Sequence, residues 1–295
     1  MIITRLVSGL GNQLFQYAIG KHLSIRHGVP LKLDTSFFET QTLRRFKLDN
    51  YNIVAQIASP EEINHFLFWQ KDHGLPAKFY RKIQKMFPRN KRRYIKESEW
   101  WIYDPDVLNA SSNVYLDGYW QHYKYFLNVY PEIFTEITLK EGADGAQVLK
   151  ERILENSSSV SIHIRRGDYI TDPDAYNLMG TLPLEYYASA MDFINTKLSN
   201  PFYYIFSDDL NCAKDNLNIK APSTFVDLEG GLKDYIELDL MSKCHHNIIA
   251  NSSFSWWGAF LNRNPGKIVI SPATWAIDKK RNEGIHLQFP SWIKI

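Results

Sequence analysis

The sequence predicts an α/β protein whose second half forms a parallel, doubly wound sheet. Short apolar runs rich in β-branched and aromatic residues alternate there with helical patterns, which is typical of strands buried between helices. The predicted strands cover residues 160–164, 202–206, 223–227, 247–250 and 267–270. The helical patterns lie around residues 184–198, 209–217, 234–244 and 254–262. Sheets of this kind bind ligands at the carboxyl ends of their strands.

The N-terminal half opens with a predicted β-α-β unit. Residues 2–7 have the composition of a strand, and Ser8 and Gly9 end it. A helical pattern follows, and Gly28 and Pro30 separate it from a second strand. The first half is therefore also expected to be built around a sheet.

The rest of the first half is less regular. Residues 37–135 are predicted to form short helices and aromatic-rich loops. Connector-like sequences at residues 141–145 and 155–159 indicate a domain boundary. We therefore expect domains at residues 1–145 and 146–295, with the last residues packing back on the first domain.

Composition and charge limit the class of protein. A chain of 295 residues suits two modest domains. The net charge of +2 creates no field that would attract nucleic acid, so no nucleic-acid partner is expected. The two cysteines suit a reducing compartment. No signal peptide and no apolar run of about 18 residues is visible, so we expect a cytoplasmic location.

Basic residues crowd one short segment between Arg81 and Arg93, with little acid nearby. Two interpretations stay open. The segment is a solvated basic helix and loop, or it makes peripheral contact with the inner face of an anionic membrane, at about 1 kcal/mol per residue. The residues are Arg81, Lys82, Lys85, Arg89, Lys91, Arg92 and Arg93.

The strongest functional signal is the hexapeptide HIRRGD, directly after a predicted strand. Arg165 and Arg166 place two adjacent guanidinium groups at the strand end, and such groups match phosphate oxygens bidentately. Asp168 could hold one guanidinium in position. The alternative is a surface ion-pair loop, but the location at a ligand-binding edge favours an anion site.

A second motif, ANSSFSWWG, lies between a predicted strand and a helical pattern. The N-terminus of a helix presents unpaired N–H groups and a partial positive charge, which suit a phosphate. Ser252, Ser253 and Ser255 could add hydroxyl donors, and Asn251 an amide. One of these residues is also expected to cap the helix.

Two further strand ends carry carboxylates. Asp208 and Asp209 follow the strand at 202–206 and either cap the next helix or face a ligand. Asp227 ends the strand at 223–227 and could accept two N–H groups from a guanine edge, with His163 nearby. Gly230 and Gly231 would allow close approach of the backbone.

The first half contributes Gly11 and Asn12, which follow the first strand. The sequence SGLGNQ lacks the features of a Walker loop or a dinucleotide fingerprint, but the Asn12 amide could reach a cleft between domains. No metal site is expected, because the two Asp-Pro-Asp sequences, at residues 104–106 and 172–174, have the composition of turns.

Together these motifs resemble glycosyltransferase family 11, the bacterial and animal α-1,2-fucosyltransferases. The matching segments are SGLGNQLFQYA, HIRRGDY, FSDD and ANSSFSWWGAFLN, in the family's order, from residue 8 to residue 262. The resemblance implies a GT-B architecture, in which two Rossmann-like domains face each other across a cleft. The first domain would lie on the acceptor side and the second would bind the donor.

The resemblance also implies the reaction. The donor would be GDP-β-L-fucose, and the acceptor the 2-hydroxyl of a terminal β-galactoside on a glycan or a lipid-linked oligosaccharide. Transfer would invert the anomeric carbon without a metal or other cofactor. Two rivals stay open: a metal-dependent glycosyltransferase that uses another sugar nucleotide, and a non-catalytic nucleotide- or glycan-binding module.

The resemblance assigns roles to individual residues. His163 and Asp227 would read guanine, and the arginines would hold the pyrophosphate. Arg165 is our first choice for stabilising the leaving group, with Asn12 assisting. Asp34, at the end of the second strand, is one candidate base; the departing phosphate could instead take the proton. The expected donor-binding set is Gly11, His163, Arg165, Arg166, Asp168, Asp227, Asn251, Ser252, Ser253 and Ser255.

Overall fold

The computed structural model describes residues 1–142, 145–228 and 234–295, apart from the side chains of Asp168, Thr171, Asp174 and Ala175. The chain divides into two compact units, Met1–Thr138 and Leu139–Ile295, so the division falls earlier than residue 145, where the sequence placed it. Thr138 belongs to the first unit because its carbonyl oxygen and hydroxyl accept hydrogen bonds from Asn52, at 2.9 and 3.0 Å.

The first unit is built on a parallel sheet of five strands in the order β3-β2-β1-β5-β4. The strands are β1 (Ile2–Arg5), β2 (Leu31–Asp34), β3 (Gln56–Ile57), β4 (Tyr94–Lys96) and β5 (Val114–Asp117). The helices are α1 (Leu10–His27), α2 (Pro60–Lys71), α3 (Leu75–Met86) and α4 (Tyr130–Glu136). The predicted β-α-β opening is confirmed.

The expectation for residues 37–135 was wrong in one respect, because β3, β4 and β5 lie within that segment. These strands have only two to four residues, which is too short to show a period of two in the sequence. Their place in the sheet is decided by pairing with β1 and β2, which are distant in the chain.

Helix α1 ends where the sequence predicted. Gly28 has a φ of 61°, and its N–H donates to the carbonyl oxygen of Ile25 at 3.2 Å. Glycine adopts this left-handed conformation without the steric penalty that a side chain brings, so it closes the helix.

A buried ion pair joins α1 to α4. Lys21 Nζ lies 2.5 Å from Glu136 Oε1, and both side chains are about nine-tenths buried. The Tyr17 hydroxyl donates to the same carboxylate, and burial raises the pKa of Tyr17 above its ordinary value. Breaking a buried pair by removing one partner is costly, because the other charge stays out of water.

We expect Lys21→Met to lower the free energy of unfolding by about 3–5 kcal/mol. The double variant Lys21→Met/Glu136→Gln should recover part of this loss, because a neutral amide needs no counter-charge and can still accept from Tyr17. Urea unfolding followed by tryptophan fluorescence measures both. A loss below about 1 kcal/mol for the single variant would mean that the pair behaves like an exposed one.

The second unit is built on a parallel sheet of six strands in the order β11-β10-β9-β6-β7-β8. The strands are β6 (Ser159–Ile164), β7 (Phe202–Ser207), β8 (Ser223–Phe225), β9 (His246–Ile248), β10 (Val269–Ser271) and β11 (Ile293–Lys294). The helices are α5 (Gln147–Glu155), α6 (Gly167–Thr171), α7 (Pro173–Met179), α8 (Leu184–Lys197), α9 (Leu210–Asn216), α10 (Asp234–Lys243), α11 (Ser253–Leu261) and α12 (Lys279–Gly284).

The predicted strands and helices of the second half are confirmed to within a few residues. All six residues of β6 are buried, as expected for the central strand of a parallel sheet covered by helices. The last residues, expected to return to the first domain, form the edge strand β11, in which Ile293 pairs with Ile270 of β10. In the part of the chain that the structure describes, no helix is long and apolar enough to cross a membrane.

Candidate active site

Three polar segments meet at one edge of the second sheet. Strand β6 lies between β9 and β7, so the residues that follow these three strands are neighbours. Arg165 and Arg166 follow β6, Asp208 and Asp209 follow β7, and the loop that begins at Ala250 follows β9. The predicted convergence of these motifs at the carboxyl edge is confirmed.

A single carboxylate holds both arginine positions. Arg165 Nη1 lies 2.9 Å from Asp208 Oδ2, and the backbone N–H of Arg166 donates to Asp208 Oδ1 at 2.9 Å. The Arg165 guanidinium also lies over the ring of Tyr169, 5.6 Å from its centroid. Asp208 thus orients the arginine pair. This role was predicted for Asp168, whose side chain lies outside the described residues.

Gly167 lets the chain pass close to this carboxylate. A Cβ atom at position 167 would lie 2.6 Å from Asp208 Oδ2 and 3.0 Å from its Cγ, too close for any side chain. The glycine of the HIRRGD motif is therefore a steric requirement of the Asp208 interaction.

Arg166 is less completely paired. Its Nε lies 3.8 Å from Asp209 Oδ2, beyond hydrogen-bond distance. This Nε is buried and makes no hydrogen bond to any residue that the structure describes, although the side chain as a whole is 29% exposed. Asp209 is committed elsewhere, since its Oδ1 accepts from the N–H of Cys212 and caps α9. An anionic ligand could satisfy the orphan donor.

Neither arginine is sealed beneath the surface. The side chain of Arg165 is 20% exposed, so an ion pair with Asp208 does not remove it from solvent. A guanidinium has five donors in a fixed fork and can hold a carboxylate and a phosphate together. The pair can therefore bind an anion at the end of β6.

His163, on β6 itself, is almost completely buried beside Phe254, with the ring centroids 5.4 Å apart. Burial lowers the pKa of His163 to about 4, Asp208 opposes this shift, and Arg165 adds to it. The imidazole is therefore neutral at physiological pH. Its Nδ1 finds no hydrogen-bond partner within the described chain, so it can read a ligand by hydrogen bonding without charge.

In the loop after β9, Asn251 makes more hydrogen bonds within the protein than the sequence suggested. Asn251 is 2% exposed, and its Nδ2 donates to the carbonyl oxygens of Met179, Gly180 and Trp275, at 3.0, 3.1 and 3.2 Å. The amide thus ties three chain segments together. Its Oδ1 makes no hydrogen bond within the described residues, and the role of Asn251 in donor binding stays a prediction.

The serines of this loop divide into two kinds. Ser252 caps α11, accepting from the N–H of Phe254 at 3.3 Å, and Ser255 is 1% exposed and accepts from the N–H of Ala250 at 3.2 Å. Both hydroxyls are therefore engaged by the backbone. Ser253, the first residue of α11, differs from them in being partly exposed at the helix N-terminus, where the sequence predicted a phosphate.

Further acidic residues lie after β8 and in α10. Asp227 is exposed just after β8, and Gly230 and Gly231 lie outside the described residues. Sequence analysis missed Glu237, in the first turn of α10. Burial, together with the negative charges of Asp234, Asp208 and Asp227, raises the pKa of Glu237 to about 7. No sequence signal distinguishes this glutamate from a solvated one.

Glu237 makes stability depend on pH. Its pKa is raised in the folded protein from an ordinary 4.5 to about 7, so its protonated form stabilises the fold below pH 4.5, and that contribution is lost as pH rises through 7. We expect the stability of the wild type relative to Glu237→Gln to fall by about 3 kcal/mol between about pH 4 and pH 8. Urea unfolding of both proteins across this range tests it, and a constant difference would contradict the assignment.

In the first unit, Asn12 is fixed from two sides. Its Nδ2 donates to Ser8 Oγ at 3.0 Å, and Gln121 Nε2 donates to its Oδ1. Ser8 has a φ of 67°, a left-handed conformation that turns the chain from β1 into α1. Gly11 is buried in the first turn of α1. Gln121 was not recognised in the sequence, because its link to Asn12 spans most of the unit.

Asp34 does not suit the role of base. It is 1% exposed, accepts from the Tyr115 hydroxyl, and accepts from the N–H of Ser36 at 2.9 Å. A carboxylate enclosed in this way stabilises the end of β2 and the turn that follows it. These contacts weigh against Asp34 as the residue that takes a proton from an acceptor, a role that stays a prediction.

Glu97, which follows β4, is a second candidate base in the same unit. Burial raises its pKa to about 7, while the hydrogen bonds from the N–H groups of Tyr119 and Trp120, at 2.6 and 3.0 Å, oppose the shift. A carboxylate with this pKa exists in both protonation states at neutral pH, as general base catalysis requires.

The two Asp-Pro-Asp sequences were predicted to be turns. Asp104 accepts from the N–H of Asp106 at 3.1 Å, caps a short 3₁₀ helix and pairs with Arg89 at 2.9 Å, which confirms the first turn. Asp172 directly precedes α7. Among the residues that the structure describes, no cluster of three or more His, Cys, Asp or Glu side chains could hold a metal ion.

Solved structures show which fold the chain has. The fucosyltransferase NodZ from Bradyrhizobium has a TM-score of 0.52 at 15% identity, over 88% of this chain and 92% of its own. A variant of Arabidopsis thaliana FUT1 in complex with GDP has a TM-score of 0.53 at 11% identity, over 95% and 71%. The two parallel-sheet α/β domains are those of a GT-B glycosyltransferase.

The family follows from the sequence. The family model described as "Glycosyl transferase family 11" matches residues 1–295, and the chain belongs to that family. An Escherichia coli alpha-1,2-colitosyltransferase is 33% identical over 93% of this chain and 92% of its own. The rat galactoside alpha-(1,2)-fucosyltransferase 2 is 26% identical over 49% and 42%. The Escherichia coli O-antigen biosynthesis glycosyltransferase WbnK is 32% identical over 98% and 99%.

Proposed function

We propose that this family 11 glycosyltransferase transfers L-fucose from GDP-β-L-fucose to the 2-hydroxyl of a terminal β-galactoside, with inversion and without a metal. The observation that carries this proposal is the arginine pair at the end of β6, held by Asp208. Relatives named for α-1,2 transfer of colitose and of fucose support the linkage. The solved FUT1 variant bound to GDP supports the nucleotide.

The leaving group explains why such a pair is needed. When the bond between the sugar C1 and the phosphate oxygen breaks, GDP develops negative charge and the sugar becomes oxocarbenium-like. Arg165 and Arg166 place fixed positive charge beside that oxygen, and Ser253 with the N-terminus of α11 adds donors. These groups need no reorganisation as the charge develops.

A second group of residues would recognise the guanine of the donor. Neutral His163 can hydrogen-bond to guanine through its unpaired Nδ1. Asp227, exposed beyond β8, can accept from the N–H groups of the guanine edge. Protonation of Glu237 near pH 7 limits the negative charge close to the diphosphate.

The acceptor side completes the reaction. The 2-hydroxyl oxygen forms a bond to C1 on the face opposite the leaving GDP, and its proton goes to a base. We assign that base to Glu97, in place of Asp34, because of its pKa near 7. Asn12, fixed between Ser8 and Gln121, assists from the same edge of the first sheet.

One observation favours GDP-colitose as an alternative donor, namely the 33% identity to an alpha-1,2-colitosyltransferase. Colitose differs from fucose by the absence of the 3-hydroxyl. Incubation with lactose and GDP-L-fucose, GDP-colitose or UDP-galactose, with measurement of nucleotide release and product linkage, separates the alternatives. Preference for GDP-colitose would replace the donor, and no release with any donor would favour a binding module.

Metal dependence is tested in the same assay. We expect undiminished turnover in excess EDTA, because the arginines supply the charge that a divalent ion would supply. Loss of activity in EDTA and its recovery with added Mg²⁺ or Mn²⁺ would favour the metal-dependent rival.

Gly167→Ala tests whether Asp208 must hold the arginines. The new Cβ would displace the Asp208 carboxylate, and a misplacement of about 1 Å can cost about 100-fold, so we expect kcat/KM to fall by about 10- to 100-fold. Gly266→Ala is the control, because its Cβ would meet nothing closer than 3.7 Å. Normal turnover by a folded Gly167→Ala protein would remove Asp208 from the mechanism.

A further inference from the structure

One side of helix α3 exposes large apolar side chains in line with lysines. Leu75, Phe79 and Met86 are 80%, 66% and 79% exposed. Lys78, Lys82 and Lys85 are also exposed. Their spacing of three, four and seven residues puts all six on the same side of the helix. We call these six residues the α3 face.

The opposite side of α3 is anchored to the first unit. Ala77 is completely buried, and Tyr80 stacks on Trp69 of α2 with the ring centroids 5.4 Å apart. Arg81 Nη1 donates to the carbonyl oxygens of Trp69 and Asp72, both at 2.6 Å, which ties α3 to the end of α2. The helix is therefore held in a fixed rotation, and the α3 face points away from the unit's core.

The arginines of the basic segment are used inside the unit. Arg89 pairs with Asp104 at 2.9 Å, and Arg92 donates to the carbonyl oxygens of Phe87 and Lys85, at 3.1 Å each. Arg93 lies over Phe66 and contacts His65. A membrane contact by the segment from Arg81 to Arg93, one of the two interpretations left open by the sequence, would therefore not depend on these three arginines.

The lysines of the α3 face differ from these arginines in their side-chain contacts. Within the described parts of the chain, the side-chain amino groups of Lys78, Lys82 and Lys85 make no hydrogen bond or ion pair, in contrast to the arginine side chains. Residues 73–96 contain nine lysines and arginines and no aspartate or glutamate. The α3 face thus combines uncompensated positive charge with exposed apolar volume.

We propose that the α3 face docks on an anionic lipid surface. Phosphate headgroups would meet the three lysines, and Phe79, Leu75 and Met86 would enter the boundary between headgroups and acyl chains. Charge alone would also suit a nucleic acid, but exposed leucine, phenylalanine and methionine between the lysines gain nothing from a phosphate backbone. The proposal goes beyond the transferase reaction and does not rest on it.

Vesicle flotation tests the proposal. The full-length protein is mixed with vesicles of phosphatidylcholine alone or with added phosphatidylglycerol, and the bound fraction is measured across salt concentrations. We expect binding to the anionic vesicles, weakened by salt because the lysines are exposed. Equal binding to both vesicles, or binding to neither, would overturn the proposal.

Three variants separate the contribution of the lysine charges to vesicle binding from that of the inserted apolar side chains. Lys82→Gln/Lys85→Gln should weaken partitioning about 25-fold, or about fivefold per lysine. Phe79→Ser should weaken it about tenfold or more, because the ring no longer leaves water. Lys279→Gln/Lys280→Gln removes the same charge from exposed lysines of α12 and should have little effect.

Two controls keep the result interpretable. Circular dichroism and turnover with a soluble galactoside should be unchanged in all three variants, because none lies at either candidate site. Loss of partitioning in the charge variant with a normal Phe79→Ser protein would indicate a general polyanion site and overturn membrane docking. An equal loss in the α12 control would show that net charge alone decides.

Discussion

Replacing Arg165 by alanine is expected to lower kcat by about 10²–10³, the usual cost of removing a fixed donor from developing negative charge. The structure places Arg165 at the end of the central strand, oriented by Asp208 Oδ2 at 2.9 Å. In the proposed reaction, its guanidinium would stabilise charge that appears on the phosphate oxygen only as the bond breaks. The loss should therefore be larger in kcat than in the KM for the donor.

Two comparison variants sharpen this result. Arg165→Lys keeps the charge but loses the planar fork, so it should recover only part of the activity. Arg263→Ala removes an exposed arginine from the same unit and should have normal turnover. Steady-state kinetics with GDP-L-fucose and lactose measures all three. A folded Arg165→Ala protein with near-normal kcat would remove the residue from catalysis.

Replacing Glu97 by glutamine is expected to lower kcat by about 10²–10⁴, the usual contribution of a general base. Burial raises the pKa of Glu97 to about 7, so the wild-type rate should fall as pH drops below 7 and the carboxylate takes up a proton. Glutamine cannot accept that proton, so the acidic limb of the pH–rate profile should disappear in the variant.

A merely structural role for Glu97 gives a different result. Its oxygens accept from the N–H groups of Tyr119 and Trp120, and glutamine keeps only one acceptor oxygen for this loop. A variant impaired only by movement of the loop would be slower at every pH and would retain the acidic limb. Glu99→Gln, an exposed neighbour, is the control for the lost charge.

Much of the fold could be predicted from local patterns. The strands and helices of the second half were evident because each buried strand is a short apolar run between helical patterns. The first half was harder. Strands such as β4 and β5 have three or four residues, and they become strands by pairing with β1 or with each other.

The candidate site, like the fold, could be predicted only in part from the sequence. The segments that carry Arg165, Arg166 and Asp208 were expected at one edge of the sheet, because motifs at the ends of parallel strands lie there. The contact of Asp208 with the arginines was not predicted, since Asp168 was the expected partner. For Asn251 and Asp34, residue type alone did not reveal the structural contacts that they make. Their side chains have the chemistry of ligand contacts, but burial and hydrogen bonds to their own unit commit them to structure.

By itself the sequence determined the alternation of strands and helices, the motifs at the strand ends and the family, because apolar periodicity and short motifs are local. The tertiary structure decided which polar groups a ligand can use. Asp208 holds the arginines, Glu97 and Glu237 have pKa values near 7, and the lysines of α3 lie on its exposed side. Burial and charge depend on residues far apart in the chain, and no local pattern records those distances.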